Sequence, residues 1–165
     1  MFCKVCGKEL ADNASPALAD IRRHMRIQAG KIKDGLQKVI SSPAYAKFLR
    51  ERQLLKYLRD AVNKGYEGFN AHFQPIVRAK DRELASAETL LRFYHPEMGH
   101  VSPMEFIPLL EESGLIIPVG RWVIKQAIQL CHAMQQVVPG FKVSFNISYV
   151  QVLKSDVLSD IVRSL

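Results

Sequence analysis

The sequence predicts an α/β fold in which a helical segment precedes parallel strands with crossover helices. Two observations carry this. Apolar residues recur at helical spacing over residues 15–64, and from Tyr66 onward strand-like apolar runs alternate with helical ones. The chain has 165 residues, 48% hydrophobic and 24% charged, which is enough for one ordinary core and outside the disordered range.

The elements follow in order. Ser15-Pro16 reads as a helix start, with serine as cap and proline at the first helical position. Leu18, Ile21, Met25, Ile32, Leu36, Val39 and Ile40 then mark one face of a helix whose other positions include Arg22, Arg23, Arg26, Lys31, Lys33 and Lys38. Ser41-Ser42-Pro43 ends it, and Ala44–Lys64 reads as a second helix on Tyr45, Phe48, Leu49, Leu54, Leu55, Leu58 and Val62. Phe69–Val77 and Glu83–Phe93 read as strands joined by the polar turn Lys80-Asp81-Arg82, and Pro103–Ser113 and Val119–Gln136 as helices. Phe141–Ile147 is a third strand after Pro139-Gly140, and Asp156–Leu165 begins another helix.

Net charge is +7, but its distribution is uneven: residues 1–65 hold 14 Lys/Arg against 6 Asp/Glu, and residues 66–165 hold 9 against 10. A basic helical segment suits nucleic acid or an anionic surface, yet cations spread over a helix read first as a solvated face, so nucleic acid is not the favoured partner. Without a signal peptide or a long apolar run, the expected location is the cytoplasm, with no membrane among the partners. Three cysteines do not make a disulfide framework here, and Cys131 falls within an apolar helical pattern. Cys3 and Cys6 form a Cys-x-x-Cys-Gly knuckle that supplies half of a tetrahedral Zn²⁺ site. A zinc shared by two chains, a contribution from His24, and an unliganded remnant are the alternatives; the missing ligands favour the last.

Three polar positions stand out among the later apolar strands: Gln74 before Pro75, Glu88 followed four residues on by Arg92, and Asn146 in Val143-Ser-Phe-Asn-Ile-Ser148. In a parallel barrel the carboxyl ends of the strands converge on one face and would gather these groups. Glutamate and asparagine oxygens suit Mg²⁺ or Mn²⁺, and arginine can hold a phosphate by its fork, a combination that fits phosphodiester hydrolysis. The plainer alternative pairs Glu88 with Arg92, leaves Asn146 as a strand-end cap and exposes Gln74.

From about Arg52 to the C-terminus the chain carries a dense, ordered run of blocks that includes Phe73-Gln-Pro-Ile-Val77, Ala87-Glu-Thr-Leu-Leu-Arg92 and Phe145-Asn-Ile-Ser148. On these residues it resembles the EAL family of cyclic di-GMP phosphodiesterases. Phe73-Gln-Pro-Ile-Val77 resembles the first-strand motif, and Ala87-Glu-Thr-Leu-Leu-Arg92 stands at the signature Glu-Ala-Leu-Leu-Arg. Val101-Ser-Pro-Met-Glu-Phe-Ile-Pro108, Glu111-Glu-Ser-Gly-Leu-Ile-Ile-Pro118, Gly120-Arg-Trp-Val123 and Phe145-Asn-Ile-Ser148 are similar to the blocks that follow. The resemblance implies a (β/α) TIM-type barrel, here partial, over residues 66–165, behind a knuckle-like start at 1–12 and a basic helical segment at 13–65. It implies that Glu88 and Asn146 ligate Mg²⁺ or Mn²⁺ and that Arg92 contacts a phosphate of cyclic di-GMP. Gln74 and Leu90 would help seat the nucleotide, and Phe106 to Pro108 would form a loop wall near a guanine. Thr89 replaces alanine and Phe93 replaces tryptophan; strand alternation turns Thr89 away from the glutamate's face.

The family's barrels run to about 240 residues. Its later metal-binding glutamate, Asp-Asp-Phe-Gly-like segment, water-activating lysine and final glutamate have no counterpart here. The chain is therefore expected to be an N-terminal portion of such a domain, inactive alone and liable to self-associate through an open barrel edge. The alternatives are a non-catalytic module of the same descent that binds nucleotide or protein, and a basic helical nucleic-acid binder. Asn13-Ala-Ser-Pro-Ala-Leu-Ala-Asp-Ile-Arg-Arg23 with Ser42-Pro-Ala-Tyr45 also weakly resembles a helical region of MutS-like proteins, without any ATPase motif. That second resemblance implies a mosaic origin and transfers no activity.

Overall fold

A computed structural model describes residues 16–165, and Cys3, Cys6 and the Ser15 cap lie outside them. The chain divides into two compact units, residues 1–49 and 50–165. In the first, α1 (Pro16–Ile40) starts with proline at a position whose N–H would have no helical partner. Ser42 organises the turn that follows. Its hydroxyl donates to the Val39 carbonyl at 2.7 Å and accepts the Tyr45 N–H at 3.2 Å, capping α2 (Pro43–Asn63).

The second unit takes up α2 from Arg50, where Leu54, Leu58 and Ala61 recur at helical spacing and are all buried. Its remaining elements are β1 (Phe69–Val77), β2 (Leu84–His95), β3 (Gly99–Val101), α3 (Pro103–Ser113), α4 (Ile116–Gln135), β4 (Lys142–Phe145), α5 (Tyr149–Lys154) and α6 (Val157–Val162). β2 is the central strand. β1 pairs antiparallel along most of its length; on its other side β4 runs parallel to Ser86–Thr89 and β3 antiparallel to Phe93–His95.

The antiparallel β1 departs from the parallel array read in the sequence. The connection from Val77 to Leu84 is too short for a crossover, which takes a dozen or more residues, so the chain must reverse. Arg78 closes this turn with ion pairs to Asp81 at 3.2 Å and Glu83 at 2.5 Å. The Asp81 carboxyl is held below the usual carboxylate range, first by the Glu83 backbone N–H and then by the Arg78 guanidinium. At the other end of the hairpin, Gly68 has φ +88°, and a Cβ there would sit 2.5 Å from the Tyr94 carbonyl oxygen. Glycine lets the two backbones approach closely enough for Tyr94 N–H to donate to the Gly68 carbonyl at 2.9 Å.

Alternation divides the sheet into two unlike faces. Ala87, Thr89 and Phe93 are buried on the face that carries the core, where Phe69, Phe93 and Phe106 pack with ring centroids 4.8–6.4 Å apart. Leu110 of α3 and Val119 and Val123 of α4 complete this cluster with α2. Thr89 therefore does point away from Glu88, but its Oγ1 is buried with no hydrogen-bond partner among the described residues. An unsatisfied buried hydroxyl is costly, and valine has the same shape without it. Thr89→Val is expected to raise stability by about 1 kcal/mol, read as a higher urea midpoint with unchanged slope. Among the described residues no helix is long and apolar enough to cross a membrane.

Candidate functional site

The opposite face of the sheet is polar and open. In register across the hairpin, Gln74 faces Glu88, His72 faces Leu90 and Asn70 faces Arg92. Facing residues of an antiparallel pair project to the same side, so these six share one surface. β4 adds to it from the other flank: Ser144 is the register partner of Glu88, and Asn146 lies just past the end of the strand. Asn146 Nδ2 donates to Glu88 Oε1 at 3.0 Å, across 58 residues of sequence.

This contact settles how Glu88 and Arg92 are engaged. Glu88 bonds to Asn146, and Arg92 Nη1 donates to the neighbouring Leu91 carbonyl at 2.9 Å, so the glutamate–arginine pair entertained from sequence does not form. The Glu88–Asn146 spacing also suits a cation. The amide's nitrogen and oxygen exchange places by a half-turn, which would set two oxygens about 3.0 Å apart, the separation of adjacent ligands around an octahedral ion bound at about 2.1 Å. Both oxygens are hard donors, as Mg²⁺ or Mn²⁺ prefers, and together they would supply two of about six positions.

Beside them lies a cleft of about 350 Å³. It opens where, among the described residues, Leu90–Arg92 of β2 have no strand partner on the flank between β4 and β3. Leu90, Arg92 and Asn146 line it together with Ile107 and Glu111 of α3 and Gly120 of α4. Of the residues singled out in the sequence, Gln74, Glu88, Leu90, Arg92 and Asn146 are thus brought onto one face or its adjoining cleft. Phe106 and Pro108 are not. Residues 106–108 belong to α3 rather than to a loop; Phe106 is 0% exposed among the core aromatics, and Pro108 is on the helix exterior. A periodic apolar pattern pulled Phe106 inward, and Ile107, one residue on, is the side chain that meets the cleft.

His72, Asn70 and Glu111 escaped the sequence reading. Period-2 alternation back from Gln74 would have found the first two, since residues 70, 72 and 74 must share a face. Glu111 becomes visible only through tertiary contact: its Oε1 accepts the Ser148 hydroxyl at 2.6 Å. That bond ties α3 to the segment after Asn146, which is fixed further by a reciprocal cap. Ser148 Oγ accepts the Val150 N–H at 3.2 Å, and Gln151 Oε1 accepts the Ser148 N–H at 3.1 Å.

Gln151 is 4% exposed and lies against Gly120, where an added Cβ would fall 2.0 Å from its Nε2. Gly120→Ala must therefore push the Gln151 amide off Ser148 and loosen the loop that carries Asn146. The expected cost is about 1–3 kcal/mol despite alanine's better helix propensity, read by thermal denaturation. An unchanged or raised midpoint would show that Gln151 swings aside freely.

Comparison with known proteins places this geometry. Residues 56–165 match the family model described as EAL domain. An uncharacterized protein of Synechocystis sp. is 38% identical over 118 residues, covering 71% of this chain and 17% of that protein. A cyclic di-GMP phosphodiesterase of Pseudomonas aeruginosa is 35% identical over 111 residues, covering 67% of this chain and 19% of that protein. Among solved structures, the PaMucR phosphodiesterase in its c-di-GMP complex superposes with a TM-score of 0.62 at 31% identity, covering 68% of this chain and 45% of that one. The chain thus spans less than a fifth of these curated relatives and under half of the solved domain.

Proposed function

Because the chain belongs to the EAL domain family through residues 56–165, we propose that its second unit supplies the first part of a cyclic di-GMP phosphodiesterase site acting in the bacterial cytoplasm. The observation that supports this most directly is the Glu88–Asn146 contact at 3.0 Å, beside a cleft lined by Leu90 and Arg92. In this reading Glu88 and Asn146 turn their oxygens to one Mg²⁺ or Mn²⁺. Arg92 uses its remaining N–H donors on a phosphate, and Gln74 and Leu90 help seat the nucleotide. When bound, the metal polarises a phosphoryl oxygen and favours attack by water, opening the cyclic dinucleotide to linear pGpG.

Among the described residues Glu88 is the one carboxylate hydrogen-bonded to Asn146, so two donors and one negative charge would meet an ion that takes about six ligands. This favours a second reading for the chain by itself: it binds the nucleotide weakly and does not hydrolyse it, and turnover needs further acidic groups and a base. Titration calorimetry with cyclic di-GMP, with and without Mn²⁺, tests both readings, with chromatography of the nucleotide after incubation. Metal-dependent binding without pGpG supports the second reading, and binding with pGpG supports hydrolysis by this chain. No binding in either condition removes the site.

A further inference from the structure

The site on β2 leaves α1 without a role, and α1 has a distinctive surface. At about 100° per residue, Ile21, Met25, Ile32, Leu36 and Val39 fall within an arc of about 60°. All five are 55–66% exposed. Arg22, Arg26 and Lys33 lie to one side of this arc and Lys31 and Lys38 to the other, while Arg23, Ile27 and Asp34 are on the far side of the helix.

We propose that α1 is an interfacial helix that lies on an anionic lipid surface, burying the Ile21–Val39 stripe among the acyl chains while the flanking cations reach the head groups. This arrangement of apolar stripe and bordering Lys/Arg is what such a surface requires, and long cationic side chains can extend from a buried stem to the polar layer. Two other occupants fit this surface less well. Pairing the stripe with a second copy would bring cationic flank against cationic flank, which opposes association. Nucleic acid would use the cations and leave the apolar stripe in water. The sequence alone read these cations as a solvated face; the exposed stripe between them changes that reading. Attachment of this kind is peripheral and needs no spanning segment.

Vesicle flotation with the full chain tests the proposal, comparing phosphatidylcholine vesicles with phosphatidylcholine–phosphatidylglycerol mixtures. Partition into the anionic vesicles and its loss on raising the salt are expected. Reversing three flanking charges, R22E, R26E and K33E, should reduce partition roughly a hundredfold or more, given about one unit of kcal/mol per surface cation. The double variant I32Q and L36Q keeps helix propensity and charge, touches only exposed positions and should also abolish binding. Circular dichroism confirms that each variant retains its helix.

No partition into anionic vesicles, equal partition into neutral ones, or binding unaffected by both variants overturns the proposal. So does a dimer dissolved by the double variant without vesicle binding, which would assign the stripe to a second copy. Oligonucleotide binding that survives the double variant in the absence of vesicle binding overturns it as well.

Discussion

Replacing Phe106 with alanine is expected to destabilise the second unit by about 3–5 kcal/mol, the range for removing a fully buried aromatic side chain. The ring has no exposed surface and packs against Phe69 and Phe93, with Leu54 and Leu58 of α2 in the same cluster. Alanine would leave a cavity that neighbours from three elements cannot all close. The resemblance implied that this residue stands near a guanine, and the two roles make opposite predictions. A core residue shifts the urea midpoint strongly and alters nucleotide affinity only through unfolding. A ligand contact would weaken binding in protein that remains folded. Phe106→Leu separates them, since it retains most of the volume and lacks a ring to stack; unchanged affinity with a modest loss of stability is the expected result.

The second large effect concerns Glu88. Glu88→Gln preserves size and can still accept the Asn146 N–H, so the fold is expected to change by less than about 0.5 kcal/mol, as for other substitutions outside the core. What it removes is the negative charge at the proposed cation position. Substitution of mere outer-sphere partners lowers metal affinity about 10–100-fold, so loss of the charged ligand should cost at least roughly a hundredfold. The measurement is Mn²⁺-dependent cyclic di-GMP binding by calorimetry. Retained metal dependence in the Gln variant would show that Glu88 is a structural partner of Asn146 and nothing more. Arg92→Ala complements it, since it should weaken nucleotide binding while leaving Mn²⁺ binding untouched.

How much of this could be read in advance depended on the distance over which each feature is determined. β1 and α3 occupy the same residues in sequence and structure, because each has a local period and is bounded by glycine, proline or polar punctuation. β3 was missed because three residues carry no period at all, and it exists only as a partner for Phe93–His95. α5 was missed for a different reason: its apolar residues follow directly on those of β4, although Ser148 and Gln151 spell a capping box. For the site, strand alternation sufficed to put Glu88, Leu90 and Arg92 on one side. The Glu88–Asn146 bond and the Ser148–Glu111 tie were not locally encoded, since both depend on how α3 and α4 return the chain to β2.

That return gives the two sides of Glu88 different histories. Gln74 reaches it through one tight hairpin, whereas Asn146 arrives only after two helices have docked and a parallel pairing has closed over 58 residues. Short closures form fast and long ones slowly, so during folding the glutamate should meet its hairpin neighbour well before its amide partner. The same asymmetry should appear in the folded protein as graded protection. Amides of the β1–β2 ladder would outlast those pairing β2 with β4 in hydrogen exchange, and Gly120→Ala would widen the difference. A cation held between Glu88 and Asn146 would then act as a clasp on the slower of the two seams, and its occupancy would report whether the late-forming half of the sheet is in place.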